Sequence, residues 1–466
     1  MSLTEIIFWF VFIGGGVGAM FNPTYGILVY ILVYHLNPEA QWWGANVRAL
    51  ELRTSFVIAL TTAIGVLINW KRFNRPEKQF PIMYVMMLAF LAYCFFTFLT
   101  GLQPIADGFG RARIDKLMRI SIFVFLLIRI IRTMRQYRWL LWSWMAGTIY
   151  IGYEAWSGVG HNISGRLSSY LGGADFNQSS GLAAHMVPMT AIAGFLFFSS
   201  RSKRAKFFAL LAAAFAINTI ILTRTRNAVP GMIVLVIVGL IRLPRGLRIK
   251  CLAGLLIGLA CATQLADKGW WERMATLKNP NQDASIVRRY DYWQAAVEMA
   301  ADYPWGIGIG QFRNFVPIYV EDLDVGRSAH STYFQCLAEL GYPGLFLYLL
   351  VIATSFYHFE RARRVGRGWR ALQLSHPDLA REQREIHLLA TANEVAVCGF
   401  LVCAAFTSRL WVEGLWVLMA MSCCLRNIAA CLQLRLQEVS SSSSTSSPSA
   451  EQNLQPGLLI SQPRYT

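Results

Sequence analysis

Thirteen apolar stretches recur along the chain, near 5–20, 25–36, 54–70, 81–100, 117–132, 138–155, 181–200, 206–222, 228–243, 249–265, 343–357, 388–407 and 410–425. Most approach the roughly 20 residues that an α-helix needs to cross a bilayer, the second being short. Charged residues make up only 15% of the sequence, against about 25% in a soluble domain. Helices are the expected form, because an open sheet would leave backbone N–H and C=O groups without partners in lipid. The expected fold class is all-α, a polytopic transmembrane helix bundle of about 12–13 spans.

Charge sets the expected orientation. Basic clusters fall at Lys71/Arg72/Arg75, Arg129/Arg132/Arg135/Arg138, Arg201/Lys203/Arg204, Arg242/Arg245/Arg248/Lys250 and from Arg361 to Arg384. Counting spans between them puts every cluster on one side, which the positive-inside rule makes the cytoplasm. The loops at 101–116, 156–180 and 266–342 are then expected outside. The net charge of +17 is thus a topology signal. Nucleic-acid binding would need a clustered basic surface on a folded domain and is not expected. The first basic residue is Arg48, so the N-terminus lacks the charged region of a cleavable signal peptide and is expected outside. Eight of nine cysteines lie in or beside apolar stretches, with Cys336 the exception. Neither a disulfide framework nor a metal site is expected from that spacing, and no cofactor is called for.

Four regions follow. They are an N-terminal bundle over 1–174, a core over 175–360, a basic segment with the last two spans over 361–436, and a Ser-rich tail over 437–466 that is expected to be disordered. The core contains the polar island 266–342, with seven Lys/Arg against ten Asp/Glu, acidic inside a basic protein. Apolar or aromatic residues at 286, 290, 293, 296, 297 and 300 predict an amphipathic helix over 285–300. A second helix is predicted from His330 to Leu340, stopped by Gly341 and Pro343. The run Gly306-Ile-Gly308-Ile-Gly310 lacks the Lys-Ser/Thr of a phosphate loop and reads as a tight turn or close-packed backbone. The basic stretch 359–387 reads as a cytoplasmic helix that touches anionic lipid.

Candidate chemistry concentrates in the expected outer loops. His330 stands at the membrane boundary, where an imidazole titrating near neutrality can take a proton from a hydroxyl. Arg224 and Arg226 lie at the outer end of a span, against the positive-inside trend, and guanidinium forks suit phosphate. The competing reading is snorkelling to headgroups. Arg288 and Arg289 open the amphipathic helix and complete a coherent anion site, with Arg166, Asp175 and Asn177 as further substrate contacts. Glu321, Asp322 and Asp324 could bind a divalent cation, but a solvated charge run is the commoner reading of such a cluster. His35, His161 and His185 read as ordinary structural residues.

Taken together, Thr223-x-Thr-Arg226-x-Ala, Arg289-x-x-x-Trp293, Pro304-x-Gly306-x-Gly308-x-Gly310-x-Phe312 and His330-Ser-x-Tyr333 resemble the O-antigen ligase and polysaccharide polymerase superfamily, as do the following Leu337, Glu339, Gly341 and Gly344-Leu345. The resemblance spans roughly 175–360. Asn37-Pro38 with Trp43-Gly44 is similar to the O-glycosylation ligases that accompany exosortase systems. Ser331 stands where the superfamily usually has Asn, and Thr225 where it often has Ser. The resemblance implies a metal-independent, inverting glycosyltransferase of the bacterial cytoplasmic membrane with an extracytoplasmic site. Its donor would be a polyprenyl-pyrophosphate-linked glycan, and its acceptor a hydroxyl on a lipid, glycan or protein. His330, Arg226 and Arg289 would be catalytic, assisted by Arg224 or Arg288. Alternatives are a polymerase of the same superfamily, a transporter or flippase of a lipid-linked sugar, or an envelope scaffold.

Overall fold

The computed structural model describes residues 2–73, 81–102, 108–162, 165–167, 171–176, 178–276, 284–321 and 327–445. Helices dominate and follow the apolar stretches closely: α1 (Leu3–Phe21), α2 (Pro23–Leu36), α3 (Ala45–Ala49), α4 (Thr54–Ile68), α5 (Trp70–Phe73), α6 (Ile82–Thr100), α7 (Gly108–Ile130), α8 (Met134–Trp156), α9 (Ser179–Ser199), α10 (Lys203–Thr223), α11 (Ala228–Arg242), α12 (Arg245–Leu265), α13 (Lys268–Ala275), α14 (Ala284–Asp302), α15 (Phe312–Tyr319), α16 (Thr332–Gly366), α17 (Pro377–Ala404) and α18 (Glu413–Thr445). Among the described residues there is no strand, only an isolated bridge between His161 and Leu167. Among the described residues eight helices are long and apolar enough to cross a membrane, and α2, α4 and α11 are shorter apolar helices. The protein is therefore an all-α polytopic membrane protein.

Local chemistry explains the boundaries. Asn22 separates α1 from α2: its side chain accepts from Thr24 N at 3.2 Å, and Pro23 supplies the first helical position, where no N–H is needed. Thr133 and Gln136 form a reciprocal capping box that starts α8. Inside the bundle α9 packs on α10 and α17, and α16 on α17, α18 and α6. His35 and His185 are buried there with their Nε2 atoms 3.1 Å apart, and His35 Nδ1 lies 2.7 Å from Ile31 O. By contrast α12 buries none of its residues.

The bundle has two chemically different ends. At one, Arg132 Nη2 donates to Phe73 O at 3.3 Å, Arg138 reaches Glu385 at 3.2 Å, and Arg242 and the buried Arg363 share Glu394. These contacts gather four of the five basic clusters. The other end carries the described residues of the 157–178 and 284–331 segments together with 223–227, 266–276 and 405–412, joined by the contacts described below. The final helix runs to Thr445, so the start of the expected tail is helical; residues 446–466 lie outside the described residues.

One long helix is interrupted. Gly341 has φ 64° and ψ −168°, a conformation essentially restricted to glycine, and it splits α16 between Leu340 and Tyr342. The Gly306–Gly310 strap lies against this break. Ile307 N and Gly308 N donate to the carbonyls of Ala338 and Glu339 at 3.1 and 3.0 Å, and Tyr342 N donates to Pro304 O at 3.0 Å. On its other side, Leu102 N donates to Ile307 O at 3.1 Å. The strap is close-packed backbone, as its sequence predicts. The amphipathic helix α14 is present, but its buried residues are Tyr292, Ala295, Ala296, Met299 and Ala300, while Tyr290 and Val297 are exposed. Small alanines seat the helix against α15 and the 329–338 stretch, leaving the larger side chains at 290 and 297 outside.

A Cβ at residue 341 would lie 2.2 Å from Pro304 O. Gly341→Ala is expected to introduce about 1–3 kcal/mol of backbone strain, besides displacing the strap, and so to lower the melting temperature of detergent-purified protein. Gly254→Ala, on the bare α12 with nothing within 4 Å of the new methyl, should leave it unchanged. Equal melting of the two variants would contradict the role given to the break.

Candidate active site

Two groups of cationic side chains converge at the loop-bearing end. The first forms where α10 stops. Arg224 takes a left-handed conformation, φ 48°, that closes the helix. Its guanidinium pairs with Asp267, whose other oxygen accepts from Trp270 N at 2.8 Å and caps α13. Arg226 Nη1 donates to Thr276 Oγ1 at 2.8 Å. From the 157–178 loop, Arg166 Nε donates to Thr223 O at 2.9 Å and Leu167 N to Leu222 O at 3.0 Å, docking that loop on the same helix end. The half-buried Arg166 has its pKa lowered, first by burial and then by the charges of Arg273, Arg224 and Arg226. Four guanidinium groups are thus held close enough to repel one another.

The second group surrounds His330. This residue is not in a helix, as its sequence position suggests, but two residues ahead of Thr332 with φ 51°. Trp293 fixes the segment: its Nε1 donates to Ala329 O at 3.0 Å, and its ring stacks on Phe334 with centroids 5.1 Å apart. Arg289 precedes Trp293 by one helical turn, which explains the Arg-x-x-x-Trp spacing. Tyr292 places its ring 6.3 Å from the imidazole. The His330 pKa is pushed down to about 4, first by burial and then by Arg289, Arg327 and Arg409. At neutral pH the ring is therefore uncharged and keeps a nitrogen lone pair.

Hydrogen bonds connect the two groups. Asn227 Nδ2 donates to Ser180 O at 3.2 Å, and Ser180 Oγ lies 3.3 Å from Thr407 Oγ1. Thr332 Oγ1 donates to Thr407 O at 2.9 Å and accepts from Arg409 N at 2.8 Å. Arg409 is 7% exposed, and its Nη1 donates to Asp175 O at 2.9 Å. Asp175 lies beneath the surface. Its carboxylate meets Lys116, accepts from Tyr34 Oη at 3.2 Å and from Glu413 N at 2.9 Å, and joins α2, α7 and α18. Arg288 is on the exposed side of α14. Asn177, Asp322 and Asp324 lie outside the described residues, and Glu321 is exposed. Among the described residues no three His, Cys, Asp or Glu converge in a way that could hold a metal ion.

Sequence reasoning missed Arg409, Arg273 and Arg327. Arg409 carries the same signal that marked Arg224 and Arg226: an arginine at a span end on the side away from the basic clusters. Arg273 and Arg327 sit inside the polar island and had no motif to single them out. The arrangement offers guanidinium forks for a multiply charged anion and, beside them, a neutral imidazole that can accept a proton.

In ligand-free protein, His330 is expected to titrate near pH 4, and Arg289→Gln should raise that value by removing one repelling charge. The unfolded chain, near 6.5, binds this proton more readily, so acidification from 6.5 towards 4 should remove stability and add no further loss below 4. Nitrogen-15 histidine NMR, assigned with His330→Gln, measures the titration. A value near 6.5 unaffected by Arg289→Gln would contradict the electrostatic picture.

The family model described as O-antigen ligase matches residues 208–349, from within α10 to within α16. That stretch contains Arg224, Arg226, Arg289 and His330, whereas Arg166, Asp175 and Arg409 lie beyond it. No curated protein matches the chain. The match covers less than half of the chain and, on an all-α polytopic frame, supports its resemblance to the O-antigen ligase and polysaccharide polymerase superfamily.

Proposed function

We propose that this O-antigen ligase or polymerase-type enzyme transfers a glycan from a polyprenyl-pyrophosphate donor to an acceptor hydroxyl at the outer face of the bacterial cytoplasmic membrane. The observation that carries the reading is the convergence of Arg166, Arg224, Arg226 and Arg273 with the Arg289/His330 group at one end of a lipid-facing bundle. The positive-inside rule assigns that end to the outside, because the basic clusters gather at the other.

The donor's pyrophosphate sits at headgroup level between Arg226 and Arg289, with Arg224, Arg288 and Arg166 assisting. The acceptor oxygen attacks the anomeric carbon from the face opposite the phosphate, and a new C–O bond forms with inversion. The old bond from that carbon to the phosphate oxygen breaks, and its electron pair leaves with the pyrophosphate. The acceptor's proton passes to His330. Negative charge grows on the leaving group while fixed guanidinium groups already face it, so little reorganisation is needed in the transition state. The arginines supply the cationic stabilisation, and the reaction is metal-independent.

The low basicity of His330 gains a purpose here. With the site empty, burial first and then three neighbouring arginines disfavour the imidazolium. A bound pyrophosphate offsets the arginines' share of that shift, so the base strengthens by that part when the donor is in place. Arg409, buried and hydrogen-bonded to backbone, acts through the His330 segment as a positioning residue.

His330→Ala should abolish transfer while the protein remains in the membrane and donor accumulates, as read by lipid-linked glycan analysis. Wild-type transfer by that variant would remove its role as base. Arg226→Lys and Arg289→Lys should each lower the rate about ten- to a hundredfold, because an ammonium keeps the charge but not the planar fork. Full activity of the Lys variants would reduce the role to charge alone. Inhibition by a chelator, reversed by Mg²⁺ or Mn²⁺, would overturn the arginine mechanism.

A further inference from the structure

At the basic end, far along the chain from His330, a cavity of about 180 Å³ opens between the start of α12 and the turn after α16. Its lining is mainly apolar, from Pro244, Gly246, Leu247, Leu388 and Trp369, and its polar part comes from Arg370, Arg384 and His387. Both guanidinium groups lie over the Trp369 ring, at 5.3 and 5.6 Å from its centroid. The neighbouring carboxylates are engaged elsewhere: Glu360 by Arg363, Arg364 and Arg367, Glu382 by Arg435, and Glu385 by Arg138. Among the described residues no carboxylate pairs with Arg370 or Arg384.

The surroundings are those of a membrane interface. From the cavity rim α12 rises with no buried residue, exposing Ile249, Leu252, Leu256 and Ile257. Leu374, on the turn that follows Arg370, is 98% exposed. A soluble surface would hide such groups, whereas a headgroup layer accepts them, with a tryptophan as anchor.

We propose that this cavity binds one anionic glycerophospholipid, its phosphate between Arg370 and Arg384 and its acyl chains along the bare face of α12. Charge complementarity selects the headgroup: paired guanidinium forks without a protein carboxylate favour an anion over a zwitterion, whose cationic head they repel. The mainly apolar lining and the adjoining lipid-facing helix favour a lipid over a free phosphate. The site is separate from the proposed transfer chemistry and does not depend on it.

Native mass spectrometry of the full chain in detergent, titrated with phosphatidylglycerol, phosphatidylcholine or inorganic phosphate, tests the proposal. The wild type should retain phosphatidylglycerol selectively. Arg370→Gln with Arg384→Gln should weaken that binding about thirtyfold, at roughly one tenfold step or less per charge removed, and leave phosphatidylcholine binding and glycan transfer unchanged. Arg370→Lys with Arg384→Lys should keep most of the preference. Equal retention of both lipids by the wild type, undiminished phosphatidylglycerol binding by the Gln pair, or displacement of lipid by millimolar phosphate would overturn it. The wild-type preference is read on the unaltered chain, so loss of a variant to misfolding leaves that comparison of lipids intact.

Discussion

A helix interrupted inside a membrane protein must find partners for the backbone groups that the break releases, since lipid supplies none. At Gly341 the strap from Pro304 to Gly310 supplies them, and the strap is in turn bonded to the end of α6 through Leu102. Glycines at 306, 308 and 310 all have positive φ, which lets the strap lie flat against the break and against Gly101, Phe109 and Gly110. The polar island is thereby tied to the bundle at both edges. The tie adds to the Trp293–Ala329 and Thr332–Thr407 bonds that hold α14 and the His330 segment near the arginines.

A second constraint is the burial of Arg409. A guanidinium removed from water is tolerable only when its N–H groups meet acceptors, and here they meet Asp175 O, Thr407 and Gln178. Asp175 is itself anchored by Lys116, Tyr34 and the backbone of Glu413. The turn between the last two long helices, the 171–178 loop and the start of α16 consequently form one rigid joint. The site stands on this joint, and the cost of crowding like charges at the surface is met by it. Such fixed, mutually repelling cations are what an anionic leaving group requires, because they need not reorganise as charge develops.

Much of this was readable from residue order. Periodic apolar length located the helices, because lipid enforces it. Arg224 and Arg226 stood out because they break the charge asymmetry of the chain, and the Gly-rich strap because its spacing fits no nucleotide loop. Legibility failed where a side chain's partner is distant in sequence. Asp175 looked like a loop carboxylate free to meet a substrate, yet Lys116, Tyr34 and Glu413 claim it. The inward face of α14 was read only in part: Ala296 and Ala300 are buried as their spacing suggests, but Tyr292, Ala295 and Met299 turn inward while Tyr290 and Val297 stay exposed. The conformation of His330 depends on Trp293 holding Ala329, a tertiary contact that no local pattern announces.

The central claim is that the arginines at the loop-bearing end hold the donor's pyrophosphate beside His330. A cryo-electron microscopy structure of the protein in nanodiscs with a non-transferable polyprenyl-pyrophosphate glycan tests it most directly. The account predicts phosphate density within hydrogen-bond reach of Arg226 and Arg289, with the anomeric carbon facing His330. Phosphate density at the opposite, basic end, or bound at the loop-bearing end away from both arginines, would contradict it.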